Sequence, residues 1–159
     1  MDLNFQHDYQ GSTDRVVELM RTEAFIDDVA KHAGTTSHSV RIEDNVTHLD
    51  MTLASPPTIA KVVGAHIRMS MDISWGPADA GGAHTGSMAV NVQGAPVAVA
   101  ATGLLQPTVN NGSRADFRGS LTVRIPLVGR KIEAQVAPMI TEAFEGIERR
   151  ANHWLTRQA

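Results

Sequence analysis

The 159-residue chain contains no cysteine. That absence removes disulfides, thiolate nucleophiles and cysteine-ligated zinc sites together. It fits a reducing compartment, so a cytoplasmic location is expected. Aromatic residues are scarce, at 4% of the chain, so few large side chains are available to fill an interior. Positive charge is not in excess. The net charge is −3, which leaves no global basic field to hold nucleic acid or an anionic membrane. No apolar run reaches the ~18 residues of a membrane-spanning helix. The opening Met1-Asp2-Leu3-Asn4 lacks the basic segment and apolar stretch of a signal peptide. Neither a Gly-x-Ser-x-Gly elbow nor a phosphate-binding glycine loop occurs. The seven histidines (His7, His32, His38, His48, His66, His84 and His153) show no His-x-His, His-x-x-x-His or His-Glu-x-x-His spacing. No metal and no cofactor are therefore expected.

What is present is pattern. From Gly129 to Leu155, Ile132, Val136, Ile140, Phe144, Ile147, Ala151 and Leu155 recur at spacings of three and four. That is one stripe of a long amphipathic helix. Met139, Ala143 and Trp154 widen the stripe, and Pro138 is expected to kink the helix. Arg149 and Arg150 near its end are expected to favour the helix dipole, and Asp27-Asp28 to form a solvated face.

The rest of the chain alternates with period two. Leu3, Phe5, His7 and Tyr9 share one face of a first strand. Gly11 breaks it, and two short helices follow, opened by Ser12 or Thr13 and by Thr22, with Gly34 as the stop. Six strands are predicted next, with in-phase sets that include Leu49, Met51 and Leu53; Ile67, Met69, Met71, Ile73 and Trp75; and Ala115, Phe117, Gly119, Leu121 and Val123. Asp44-Asn45 and Asn111-Gly112 carry the chemistry of tight turns. The stretch 58–64 reads either as a helical turn or as an irregular crossing. Strands joined by short turns make an antiparallel meander, and its apolar face must be covered by the only element long enough, the C-terminal helix. Residues 1–159 are expected to form a single domain, since no linker or repeat divides them.

The opening strand Leu3–Tyr9, the segment Val123-Arg124-Ile125-Pro126-Leu127-Val128-Gly129-Arg130-Lys131-Ile132-Glu133 and the terminal Trp154-Leu155 resemble the helix-grip superfamily. That superfamily includes START lipid-transfer domains, the birch-pollen allergen family and polyketide cyclases. More narrowly, the chain resembles a bacterial, actinobacterial-type family known only as a domain of unknown function. The resemblance implies an α+β fold: a curved seven-stranded antiparallel sheet wrapped around a long C-terminal helix, with two short helices after strand one. It also implies an apolar cavity between sheet and helix, but no single activity.

Phe5, His7, Tyr9, Met69, Met71, Trp75, Met88, Phe117, Met139 and Phe144 are the expected lining of that cavity. Methionine adapts to varied shapes, which suits a hydrophobic ligand. His7 and Tyr9 are the only candidates for acid–base chemistry on the inward face, and spacing supplies no partner carboxylate, because Asp8 points away. The two short helices are expected to close one end of the cavity. The loops at Pro56-Pro57 and at 76–82 are expected to gate the other. The leading expectation is a protein that binds a hydrophobic or lipid-like small molecule, with no nucleic-acid partner and no membrane insertion. A polyketide cyclase or dehydratase sharing the cavity, and a closed-core interaction domain, are the alternatives.

Overall fold

Asp44 and Asn45 both adopt positive φ, 50° and 64°, and between them reverse the chain from β2 (Ser37–Glu43) into β3 (Val46–Ala54). Two consecutive left-handed residues match the twist of a two-residue hairpin, and Asp and Asn tolerate that conformation better than other residues with a Cβ. The computed structural model describes residues 1–157. Gln158 and Ala159 lie outside the described residues.

The remaining strands and α-helices are β1 (Asp2–Tyr9), α1 (Thr13–Met20), α2 (Glu23–His32), α3 (Ala60–Val63), β4 (His66–Trp75), β5 (His84–Val92), β6 (Val97–Pro107), β7 (Ser113–Val123) and α4 (Gly129–Arg157), and a 3-10 turn over Val109–Asn111 joins β6 to β7, so that the expected Asn111-Gly112 turn begins inside it. The seven strands form one antiparallel sheet in the order β1-β7-β6-β5-β4-β3-β2. Six strands run as a meander, and β1 returns to pair with the last of them, Phe5 opposite Phe117. The ambiguous stretch 58–64 is a single helical turn, α3, in the β3–β4 crossing.

Ser12 caps α1, its hydroxyl accepting from the Arg15 amide, and Gly34 ends the α2 segment at φ 79°. The helix α4 runs unbroken through Pro138. It lies along β1 and β7 and meets α1 and α2, and α2 continues the cover to the far edge strand β2. One face of the sheet is thus roofed by helices. Alternation along the strands follows this: in β6, Val99, Ala101, Gly103 and Leu105 are buried and their neighbours exposed.

Helix α4 is fastened to α2 by groups with other expected roles. Asp28 is not a solvated residue. Its carboxylate accepts from Trp154 Nε1 at 2.9 Å and pairs with Arg150 at 2.7 Å. Arg150 therefore makes a tertiary ion pair, because α2 crosses α4 at the level of its last turns. Asp27 faces His38 at 3.0 Å.

Candidate functional site

Across the roofed face, Trp75, Gly86, Gly103, Phe117 and Phe5 are successive partners on β4, β5, β6, β7 and β1. The two glycines make room for the aromatic rings. A Cβ at Gly86 would lie 2.5 Å from Trp75 Cε3, and one at Gly103 would lie 2.7 Å from Phe117 Cε1. The Trp75 indole therefore lies flat over β5 and reaches β6. Its ring meets Phe117 at 6.0 Å, Phe117 stacks on Phe5 at 4.8 Å, and Phe5 stacks on Phe144 of α4 at 4.4 Å. A continuous aromatic path joins the middle of the sheet to the helix.

His7 and Tyr9 extend this group toward α1. Both side chains are buried, and His7 Nδ1 lies 2.7 Å from the Tyr9 hydroxyl. The His7 ring also packs on Phe117 at 5.2 Å. Burial pushes the His7 pKa down to about 4, against a smaller opposing pull from the Asp8 carboxylate, so the imidazole is neutral near pH 7. Burial, with the charge of Glu148, pushes the Tyr9 phenol up, so it stays protonated. Two buried nitrogens here have no hydrogen-bond partner among the described residues: His7 Nε2 and Trp75 Nε1.

Of the ten residues expected to line a cavity, Phe5, His7, Tyr9, Trp75, Phe117 and Phe144 come together in this way. Met88 packs with Phe144 and Ala101, and Met71 and Phe5 lie against that cluster. Met69 and Met71 face the same side from β4 and stay half-buried. Met139 departs from expectation. It is 37% exposed, on the flank of α4 rather than along the buried stripe. The glycines at 86 and 103 were missed as contributors. Their only sequence signal is that each falls on the inward phase of its strand.

The ends of the sheet differ. At one end α1 is tied down: Thr13 Oγ1 donates to the Gly82 carbonyl at 2.7 Å, and His84 lies between the Gly76 carbonyl and Asp14. The loop 76–82 therefore belongs to the end closed by α1, not to the gate expected opposite it. The antiparallel order puts the β3–β4 crossing, the β5–β6 turn and the segment 124–128 together at the other end. Val62, Leu127 and Val128 are exposed there. Two concavities open on the sheet. One of about 380 Å³ lies over the middle strands among Asp72, Ser74, Ser87, Ala89, Ala100 and Thr102. The other, of about 280 Å³, lies near β2 among Ser37, His38, Asp50 and Arg68. Among the described residues no cluster of His, Asp and Glu could hold a metal ion, and no helix is long and apolar enough to cross a membrane.

Known proteins share this architecture. A START superfamily protein from Mycobacterium smegmatis superposes with a TM-score of 0.59 at 8% identity, covering 99% of both chains. The di-domain ARO/CYC protein StfQ of the steffimycin biosynthetic pathway gives 0.66 at 12% identity, over 99% of this chain and 51% of that one. An uncharacterized protein of Mycobacterium tuberculosis is 28% identical over 102 residues, 64% of this chain and 58% of its own length. The chain thus spans a little over half of the curated relatives it matches. The sheet gripping its C-terminal helix is the helix-grip fold, which the chain shares with these solved structures. The sequence matches one family over residues 4–155, and the chain belongs to it: the proteins of unknown function designated DUF2505.

Proposed function

We propose that the protein binds a hydrophobic small molecule between the sheet and α4. One observation carries this reading. Apolar side chains that face inward from both layers keep accessible surface: Phe5, Met71, Ile73 and Phe117 from the sheet, and Ile140 and Ile147 from the helix. In a closed core they would resemble Leu105 and Leu121, which are fully buried. Inward-facing apolar side chains that stay partly uncovered present surface that an apolar guest would cover more favourably than water does. The methionines among these residues can adjust to the shape of the guest. The mouth is the end bearing Val62 and Leu127, since α1 closes the other. A cytoplasmic setting belongs to the same reading and rests on the absence of cysteine.

A catalytic reading is favoured by one feature, the His7–Tyr9 pair. A neutral imidazole hydrogen-bonded to a phenol, with Nε2 free, has the parts of a general acid–base couple. Binding ranks ahead of it because, among the described residues, no carboxylate is hydrogen-bonded to the pair.

The test is binding of an apolar fluorophore to the folded protein, together with native mass spectrometry of protein purified without detergent. Saturable enhancement reversed by unfolding, or a co-purified apolar molecule, is expected. Absence of both overturns the reading.

A further inference from the structure

His7 Nε2 and Trp75 Nε1 are buried with no acceptor among the described residues, and both side chains sit against one ring. His7 is 3% exposed and Trp75 6% exposed. His7 packs on Phe117 at 5.2 Å and Trp75 packs on it at 6.0 Å. The indole Nε1–H can only donate. The His7 tautomer follows from its partner. If Nδ1 carried the proton, the Tyr9 hydroxyl would accept, and its own hydrogen would be stranded in an apolar interior along with the Nε2 lone pair. If Tyr9 donates to Nδ1, only the Nε2–H is stranded. The second arrangement leaves fewer groups unpaired, so both orphan nitrogens are donors. Burying a donor with no acceptor is costly. The other buried side-chain polar atoms without a partner among the described residues, Arg21 Nε and Ser55 Oγ, lie outside this aromatic group. Thr47 and Ser113, also buried, donate to the carbonyls of Met20 and Gly11.

We propose that His7 Nε2–H and Trp75 Nε1–H form an acceptor site for a neutral carbonyl oxygen on an otherwise apolar ligand, which enters carbonyl-first and leaves its apolar body between sheet and helix. This rests on the binding reading above and specifies its chemistry. Two N–H donors match the two lone pairs of a carbonyl. A carboxylate fits less well, because neither donor is charged and a buried anion needs a cation or several donors. The position agrees. His7 and Trp75 stand toward the closed end of their strands, so the polar group is held deep and the apolar remainder lies along Phe117, Phe5 and the methionines toward the mouth.

The test compares Prodan, an aminonaphthalene bearing a propionyl carbonyl, with dimethylaminonaphthalene lacking it. Prodan should bind about tenfold more tightly, the scale of a hydrogen bond made to a donor otherwise buried unpaired. Trp75→Phe and His7→Phe should each remove most of that preference while leaving the hydrocarbon-like probe bound. The protein has two tryptophans, so its indole N–H signals are two. Trp154, already donating to Asp28, serves as the internal reference. The Trp75 indole proton should move downfield with Prodan and not with the parent amine. Equal affinities, a preference unchanged in both variants, or an unmoved Trp75 signal with Prodan bound would each overturn the carbonyl site and leave hydrophobic binding standing. Failure of both probes to bind would overturn the two together.

Discussion

The carboxylate of Asp28 on α2 accepts a hydrogen bond from the indole of Trp154 on α4 at 2.9 Å, and Arg150 shares the same oxygen. These three side chains join the helix that covers the β2 edge to the helix that covers the β1 edge. Asp28→Ala is expected to lower stability by about 2–3 kcal/mol, since it leaves a partly buried guanidinium and an indole N–H without their acceptor. Chemical denaturation measures the loss, and Trp154 fluorescence should shift in the folded variant. Burial alone would raise the Asp28 carboxyl pKa. The bonds from Trp154 and Arg150, with the charges of Arg150 and His32, outweigh burial and hold it below its usual value. Its contribution is thus present above the unfolded carboxyl pKa of about 4, and is lost as pH falls through the lower folded value.

His7 imposes a second pH dependence at a different place. Its folded pKa of about 4 lies below the ordinary 6.5, so acid favours the unfolded chain, which takes up the proton first. Stability from this group is complete above about pH 6.5 and falls by about 1.4 kcal/mol per pH unit down to about 4. Unfolding free energies measured from pH 7 to 4.5 should show that slope. His7→Gln, which cannot titrate, should reduce it by about one proton. An imidazole C–H resonance of the wild type titrating near 6.5 and assigned to His7 would contradict the burial argument.

Phe144 is the aromatic residue of α4 that reaches the sheet, 4% exposed and stacked on Phe5 at 4.4 Å. Phe144→Ala should cost about 3–5 kcal/mol if the space cannot collapse. An unchanged melting temperature would show that the helix does not depend on this contact.

Glycine at 103 is required by the rings above it rather than by its backbone. A Cβ there would meet Phe117 at 2.7 Å and Trp75 at 3.1 Å. Gly103→Ala should therefore destabilise by about 1–3 kcal/mol through overpacking. Gly94→Ala, in an open turn at φ 74°, should act only through backbone strain and leave Trp75 emission unaltered. Near-ultraviolet circular dichroism separates the two, because only the first moves aromatic rings.

The fold was legible because it rests on local periodicity. Leu3, Phe5, His7 and Tyr9 alternate in the sequence and alternate in burial around the sheet, and Asp44-Asn45 turns where its chemistry requires. Period and turn type are properties of neighbouring residues, so the chain itself carries them. The α4 stripe was legible for the same reason, and it failed only at its edge. Met139 sits on the flank of the helix, where sequence cannot decide whether a neighbour will cover it. The partners of charged residues were not legible. Asp28 meets Trp154 across 126 positions, and nothing in the spacing of either announces the other. The site itself was half visible. His7 and Tyr9 were found because they lie two apart on one strand. That the indole of Trp75 lies across Gly86 and reaches Gly103, beside the same phenylalanine as His7, depends on the register of five strands. Register is chosen by the whole sheet at once, through the burial of every inward face, and only the tertiary structure decides it.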